Sequence, residues 1–307
     1  MIGAQERKLS HEANRQRTRF QNILLATDFS GSANLAVAYA AGLARSFGAK
    51  LYAMHVQEPI NYALPVESWQ NLELTRELEI DLLFEAVRRE CPEITPHVVL
   101  AEGTVWRAVA DAVTKHEIDL VVVGTRGRTG IGKALLGSVA EEILRHASCP
   151  VLTVGPRVCQ SERRRGKMGS VLFATDFGAA SLKAAPIAIS LAEENQAKLT
   201  LLHVIDSRQA YEMRMPTDAG EFCERQLRAM VADDEALWCE PHFIVQYGVP
   251  SEKILEEADA RDADLIVLGV HNPEGVPGAA SHLPIATVHN VIAHATAPVL
   301  TVRSNHL

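Results

Sequence analysis

The chain has 307 residues, 47% of them hydrophobic and 22% charged, with 30 Lys plus Arg against 38 Asp plus Glu and a net charge of −8. That supplies core for two domains of about 150 residues each and excludes a disordered, collagen-like or coiled-coil chain. No apolar run reaches the roughly 20 residues of a membrane helix, and an acidic chain is ill suited to general nucleic-acid binding, which begins by neutralising phosphates.

Residues 1–20 are polar, carry Arg7, Lys8, Arg15, Arg17 and Arg19, and contain no apolar signal-peptide core. They read as a flexible extension, and secretion is not expected. Asn22–Thr27 is a short apolar run, too short for a helix and fit for a buried strand. Ser32–Phe47 follows with Ala36, Tyr39, Ala40, Leu43 and Phe47 on one helical face, and Gly48 stands where a left-handed residue ends such a helix. Lys50–Val56 is a second strand, Glu67–Glu90 a long amphipathic helix stopped before Pro92, and Pro96–Ala101 a third strand. Thr104–His116 is a helix with Val105, Val109 and Ala112 inward. Asp119–Gly124 holds Val121-Val122-Val123, a strand buried on both faces. Gly137–Ala147 is helical and Val151–Val154 closes the unit. Strand alternating with helix implies a parallel sheet wrapped by helices.

The unit is then written again. Ala26-Thr27-Asp28-Phe29 recurs 148 residues on as Ala174-Thr175-Asp176-Phe177, and His55-Val56 as His203-Val204. Pro150-Val151-Leu152-Thr153-Val154 recurs as Pro298-Val299-Leu300-Thr301-Val302 at the same offset. Between these anchors the offset slips to 145, pairing Gly103 with Gly248 and Asp119-Leu120 with Asp264-Leu265. The second copy runs Val171–Thr175, Ala179–Glu194, Lys198–Val204, Asp218–Leu237, Pro241–Gln246, Pro250–Arg261, Asp264–Gly269, a loop, Pro284–Ala295 and Val299–Val302. The reading is an α/β chain of two tandem doubly wound domains, residues 21–155 and 170–307, each with a five-stranded parallel sheet. Residues 156–169 form a basic linker. Its Arg163-Arg164-Arg165 reads as a solvated face, with a phosphate-reaching arm as the alternative.

Ligands of doubly wound sheets bind at the carboxyl ends of the strands, where strand order reverses. That directs attention to Asp28, Val56 and the loop after Gly124. The loop has glycines at 124, 127, 130, 132 and 137, with Arg126, Arg128 and Lys133, and leads into a helix at Gly137-Ser138. Glycines let backbone N–H groups close on phosphate oxygens, and the helix start adds donors and a positive dipole end. Gly127, four residues and Gly132-Lys133 approach a P-loop. Ala134 then stands where a Ser or Thr must ligate magnesium, so a P-loop is rejected.

A second pattern fits fully: Gly124, two residues, Gly127, nine residues, Gly137-Ser138. With the Ala-Thr-Asp and His-Val strand ends, this spacing resembles the universal stress protein family, over both copies. The resemblance implies ATP, with or without Mg2+, held by the first domain. Ala26, Thr27 and Asp28 would meet the adenosine end, and the backbone of Val56 the adenine. Gly124, Arg126 and Gly127 would approach ribose and phosphates. Gly137, Ser138 and Val139 would hold the phosphate tail. It further implies a cytoplasmic regulator in a stress response. Slow ATP hydrolysis or a ligand-free interaction scaffold are the alternatives, and no residue is singled out as catalytic or metal-ligating. The apolar edge strands at Val151 and Val299 would be hazards if bare. The resemblance implies domain-to-domain pairing there, here within one chain, with a homodimer as a further option.

The second copy departs from the pattern. Asp176, Val204 and Gly269 are kept, but Asn272 replaces the second glycine, and no Gly-Ser pair, Arg or Lys follows before Thr301. Burying a triphosphate there would lack counter-charge, so this half is expected to bind ATP poorly. Ser30 is read as the cap of the first helix, which leaves Asp28 available to a ligand. His55 and His203 read as satisfied histidines at strand ends, with no visible proton-transfer partner. His271, His282, His289 and His294 read as surface or loop residues without zinc spacing. Cys91, Cys149, Cys223 and Cys239 read as structural in a reducing compartment. Cys159, beside the linker arginines, is the one candidate for reactivity.

Overall fold

The computed structural model describes residues 19–57, 66–125, 136–158, 168–208, 218–231, 239–270 and 285–303. In the first half β1 (Asn22–Ala26), α1 (Gly31–Phe47), β2 (Lys50–Gln57), α2 (Val66–Glu90), β3 (His97–Glu102), α3 (Val105–Lys115), β4 (Leu120–Gly124), α4 (Ser138–His146) and β5 (Val151–Val154) alternate. The second half repeats them as β6 (Ser170–Thr175), α5 (Ala179–Glu194), β7 (Lys198–Asp206), α6 (Ala219–Met230), β8 (His242–Gly248), α7 (Pro250–Ala260), β9 (Leu265–Val270), α8 (Ile285–His294) and β10 (Val299–Arg303). The helix expected over Asp218–Leu237 ends at Met230. Val231 is already extended there, and 232–238 lie outside the described residues.

Each half is parallel, in the order β3-β2-β1-β4-β5, and the chain crosses from β3 to β4 on the far side of β1. The two halves form one ten-stranded sheet, β3-β2-β1-β4-β5-β10-β9-β6-β7-β8. The joint is antiparallel, with Leu152 opposite Leu300 and Thr153 opposite Val299. The expected edge hazard is thus removed within the chain. Buried Thr153 donates from Oγ1 to the Val299 carbonyl (3.1 Å), and Thr301 to that of Val151 (3.2 Å).

The period-2 placement of side chains divides the core into two layers. Ile23, Leu25, Leu120, Val122, Leu152 and Val154 face α1 and α2, and join Val171, Phe173, Leu300 and Val302 under α5 and α6. Leu24, Val121, Val123, Leu172, Ile266 and Val299 face α3, α4, α7 and α8. Both layers run across the joint.

Local chemistry fixes the ends. Gly48 closes α1 at φ 62°, its N–H reaching the Ala44 and Arg45 carbonyls, as the sequence indicates. Asp119 receives the N–H groups of Gln21 and Asn22 at the start of β1, and Asp264 those of Gly169 and Ser170 at the start of β6. This is why Asp-Leu recurs in the two copies. Burial pushes the Asp119 carboxyl up, and these N–H bonds oppose the shift. Burial likewise pushes the Cys91 thiol up to about 11 and Cys149 up to about 12, which makes both poor nucleophiles. Cys159 and Arg163–Arg165 lie outside the described residues. Among the described residues, no helix is long and apolar enough to cross a membrane.

Candidate functional site

The carboxyl ends of β2, β1 and β4 lie side by side at the first half's switch point. Ala26 and Thr27 are buried there, and Thr27 N donates to the Met54 carbonyl (3.0 Å). Phe29 turns the chain with φ 61°, a conformation costly for a bulky side chain. Two side chains hold that turn: Phe29 N donates to Thr27 Oγ1 (3.1 Å) and Ser30 N to Asp28 Oδ1 (3.0 Å). Ser30 then caps α1, its Oγ receiving Ala33 N. The cap is as expected, but Asp28 is not left over by it. One carboxylate oxygen braces the turn, so a ligand would meet an already oriented carboxylate.

His55 is buried and tied into this turn. Its Nδ1 donates to the Thr27 carbonyl (2.8 Å) and its ring lies 4.7 Å from that of Phe29. Its Nε2 faces Glu79 Oε1 of α2 at 3.7 Å, a partner the sequence reading missed. Gln57 donates to the other Glu79 oxygen, Arg76 donates from Nε to Gln57 Oε1 (3.3 Å), and Arg76 pairs with Glu102 of β3. This chain of side chains ties α2 to the ends of β2 and β3. The signal was present: Glu79 and Arg76 stand one and two turns before buried Leu83, charges on the core-facing side of an amphipathic helix.

On the other side of β1, Gly124 ends β4, and Gly137 N donates to the Thr125 carbonyl (2.8 Å). That bond anchors the start of α4 to the end of β4. Gly137 is the N-cap and offers no side chain to the first turn, and Ser138 and Val139 are exposed there. The first N–H groups of a helix have no intrahelical partner, so this end presents donors and positive dipole toward the switch point. Of the predicted residues, Ala26, Thr27, Asp28, Val56, Gly124, Gly137, Ser138 and Val139 occupy this edge of the sheet. Arg126 and Gly127 lie outside the described residues.

The second half repeats the frame. Phe177 has φ 60°, Thr175 Oγ1 receives its N–H (2.9 Å), Asp176 Oδ1 receives Gly178 N (2.8 Å), and His203 Nδ1 donates to the Thr175 carbonyl (2.8 Å). Burial lowers the His203 pKa, opposed by the Thr175 carbonyl and the Asp176 charge. Ser181 Oγ also donates to Asp176 Oδ1 at 2.6 Å; Ala33 stands at the place of Ser181 in the first half. A Cβ on Gly269 would lie 2.3 Å from Ser181 N, so the end of β9 packs directly on α5 and needs glycine there for space. Of the late histidines, His294 is half-buried, with Nδ1 donating to the Asn290 carbonyl. His289 Nε2 is buried without a hydrogen-bond partner, contrary to the surface reading. His271 and His282 lie outside the described residues. No group of three His, Cys, Asp or Glu among the described residues is placed to hold a metal ion.

The family model described as "Universal stress protein family" matches residues 19–155 and again 168–303. A universal stress protein of Mycolicibacterium smegmatis is 30% identical over 297 residues, covering 92% of this chain and 96% of that one. One from Methanocaldococcus jannaschii is 32% identical over 139 residues, 44% of this chain and 82% of its own length. Among solved structures, a universal stress protein of Archaeoglobus fulgidus has the same fold: TM-score 0.66 at 19% identity, over 92% of this chain and 98% of that chain.

Proposed function

The chain belongs to the universal stress protein family, and we propose that its first domain binds an adenine nucleotide, ATP by preference, and that occupancy regulates conformation or assembly in a stress response. One observation carries the reading: the start of α4, without a side-chain cap, is tied by Gly137 N to the end of β4 at the switch point. Such a helix end favours phosphate. Asp28 and the Val56 backbone lie along the same edge for the nucleoside, and Arg126 in the intervening loop would add counter-charge. The second domain lacks the Gly-Ser helix start and any Arg or Lys in the loop that precedes it. It serves as the structural or regulatory partner. His55, with Nδ1 committed to the Thr27 carbonyl, holds the turn that bears Asp28 and is a positioning residue.

The test is calorimetric titration of ATP into nucleotide-stripped full chain, with and without magnesium, beside Asp28→Ala, Gly127→Ala and Asp176→Ala. One site per chain, lost in the first two variants and kept in the third, is expected. Two sites would overturn the reading of the second domain, and absence of binding would overturn the nucleotide assignment.

A further inference from the structure

Helix α2 has two apolar faces, and only one of them is used by the core. Leu83 and Val87 are buried under it, and Glu79 and Arg76 anchor it to β2 and β3. On the outer side Leu74, Leu78 and Leu82 are 58%, 55% and 54% exposed. Spaced four apart, they form one continuous row over two turns. Glu77 and Asp81, both exposed, run beside them as an acidic row, continued by Glu85, which pairs with Arg88 Nη1 at 3.9 Å. Three exposed leucines in line differ from the scattered apolar residues of an ordinary surface. The fold does not demand them either. Helix α6, in the same place in the second half, exposes Phe222 alone among its large apolar side chains.

We propose that this ridge of α2 is a docking surface for a partner protein's amphipathic helix whose apolar stripe is bordered by lysine or arginine. Charge selects that occupant. A second copy packing α2 antiparallel on α2 would set the two acidic rows against each other, and an anionic lipid surface would be repelled by them. A basic amphipathic helix buries the leucines and meets the carboxylates together.

The test uses the full chain and a fluorescein-labelled leucine–lysine amphipathic peptide of about 14 residues, roughly four helical turns, read by fluorescence polarisation. Micromolar binding is expected. It should weaken at least about tenfold in Leu78→Gln/Leu82→Gln and in Glu77→Lys/Asp81→Lys, as truncation of an interface anchor does, and a glutamate-for-lysine peptide should not bind. All four side chains are exposed, so unchanged circular dichroism and unfolding midpoints verify that the variants fold. Undiminished binding in both variants, or equal binding of the glutamate peptide, would overturn the proposal. So would sedimentation showing a dimer of the full chain that Leu78→Gln/Leu82→Gln dissociates, which would assign the ridge to a second copy.

Discussion

Thr125 is fully buried just beyond β4, and its hydroxyl has no hydrogen-bond partner. The matching residue of the second half is Val270, of nearly the same shape and also buried. A buried hydroxyl without a partner costs about 1–3 kcal/mol, and an apolar isostere removes that cost. Thr125→Val is therefore expected to raise stability by about 1 kcal/mol in urea unfolding, with the Gly137 N bond to the residue 125 carbonyl kept. A loss of stability would show that the hydroxyl is satisfied in solution. Gly269→Ala should act in the other direction. Its Cβ would meet the α5 backbone at 2.3 Å, where no flexible side chain can yield. A loss of roughly 1–3 kcal/mol is expected from such overpacking, and a neutral result would show that β9 and α5 separate easily. The motif glycine thus has a packing reason in a half that has lost the rest of the motif, which qualifies the phosphate role given to its counterpart Gly124.

At the scale of elements, the turn after β6 and the end of β7 make one unit: Asp176 and Phe177 on one side, His203 on the other, its ring 4.4 Å from that of Phe177. The lowered pKa of His203 has a definite sign in stability. Below the ordinary histidine value of 6.5 the unfolded chain takes up a proton that the folded chain refuses, because burial disfavours the charged ring. Stability therefore falls as pH drops from that value toward the lowered one, and is recovered above it. His203→Asn, whose amide can replace the Nδ1 donor, should flatten that part of the stability–pH curve in urea titrations. An unchanged slope would place the titration elsewhere. The elements themselves were legible in the sequence because strands buried on both faces read as apolar runs, as at Val121–Val123, and because Gly48 and Ser30 mark the ends of α1. The repeat made β5 and β10 recognisable as edge strands needing cover. What escaped the sequence was side-chain pairing between distant elements. His55 with Glu79 of α2 depends on how a helix docks. The bond of Ser181 to Asp176, absent where Ala33 stands, depends on one residue whose neighbour only the fold defines. The end of α6 at Met230 escaped as well, since the helical pattern continues past it.

The two halves share one ten-stranded sheet and two core layers. The joint of β5 and β10 is covered on both sides by core that runs through it, with Leu152 and Leu300 both 1% exposed. Two further contacts cross it. Arg303 of β10 donates from Nη1 to the Leu144 carbonyl in the last turn of α4 (2.8 Å), where a cation also complements the helix dipole. A Cβ on Gly155 would lie 3.1 Å from the Ile292 carbonyl of α8, so the end of β5 fits closely against the second half. A link from the second half to the tail of α4 gives it a physical hold on the helix whose start is the proposed phosphate site. Domains sharing a continuous apolar core unfold together, whereas those meeting at a small polar interface do not. Denaturant unfolding of the full chain is therefore expected to give coincident transitions by circular dichroism and by the fluorescence of Trp106, which packs against the core of the first half, in a Trp69→Phe/Trp238→Phe background. Leu152→Asp should separate the two curves, because it places a carboxylate in apolar core opposite Leu300. Arg303→Ala should keep them coincident while lowering the midpoint, by the equivalent of about 1.5–3 kcal/mol for a hydrogen bond from a charged donor. Separate transitions in the parent background would show that the halves fold independently, and that a signal from nucleotide to second domain could not travel through a shared core.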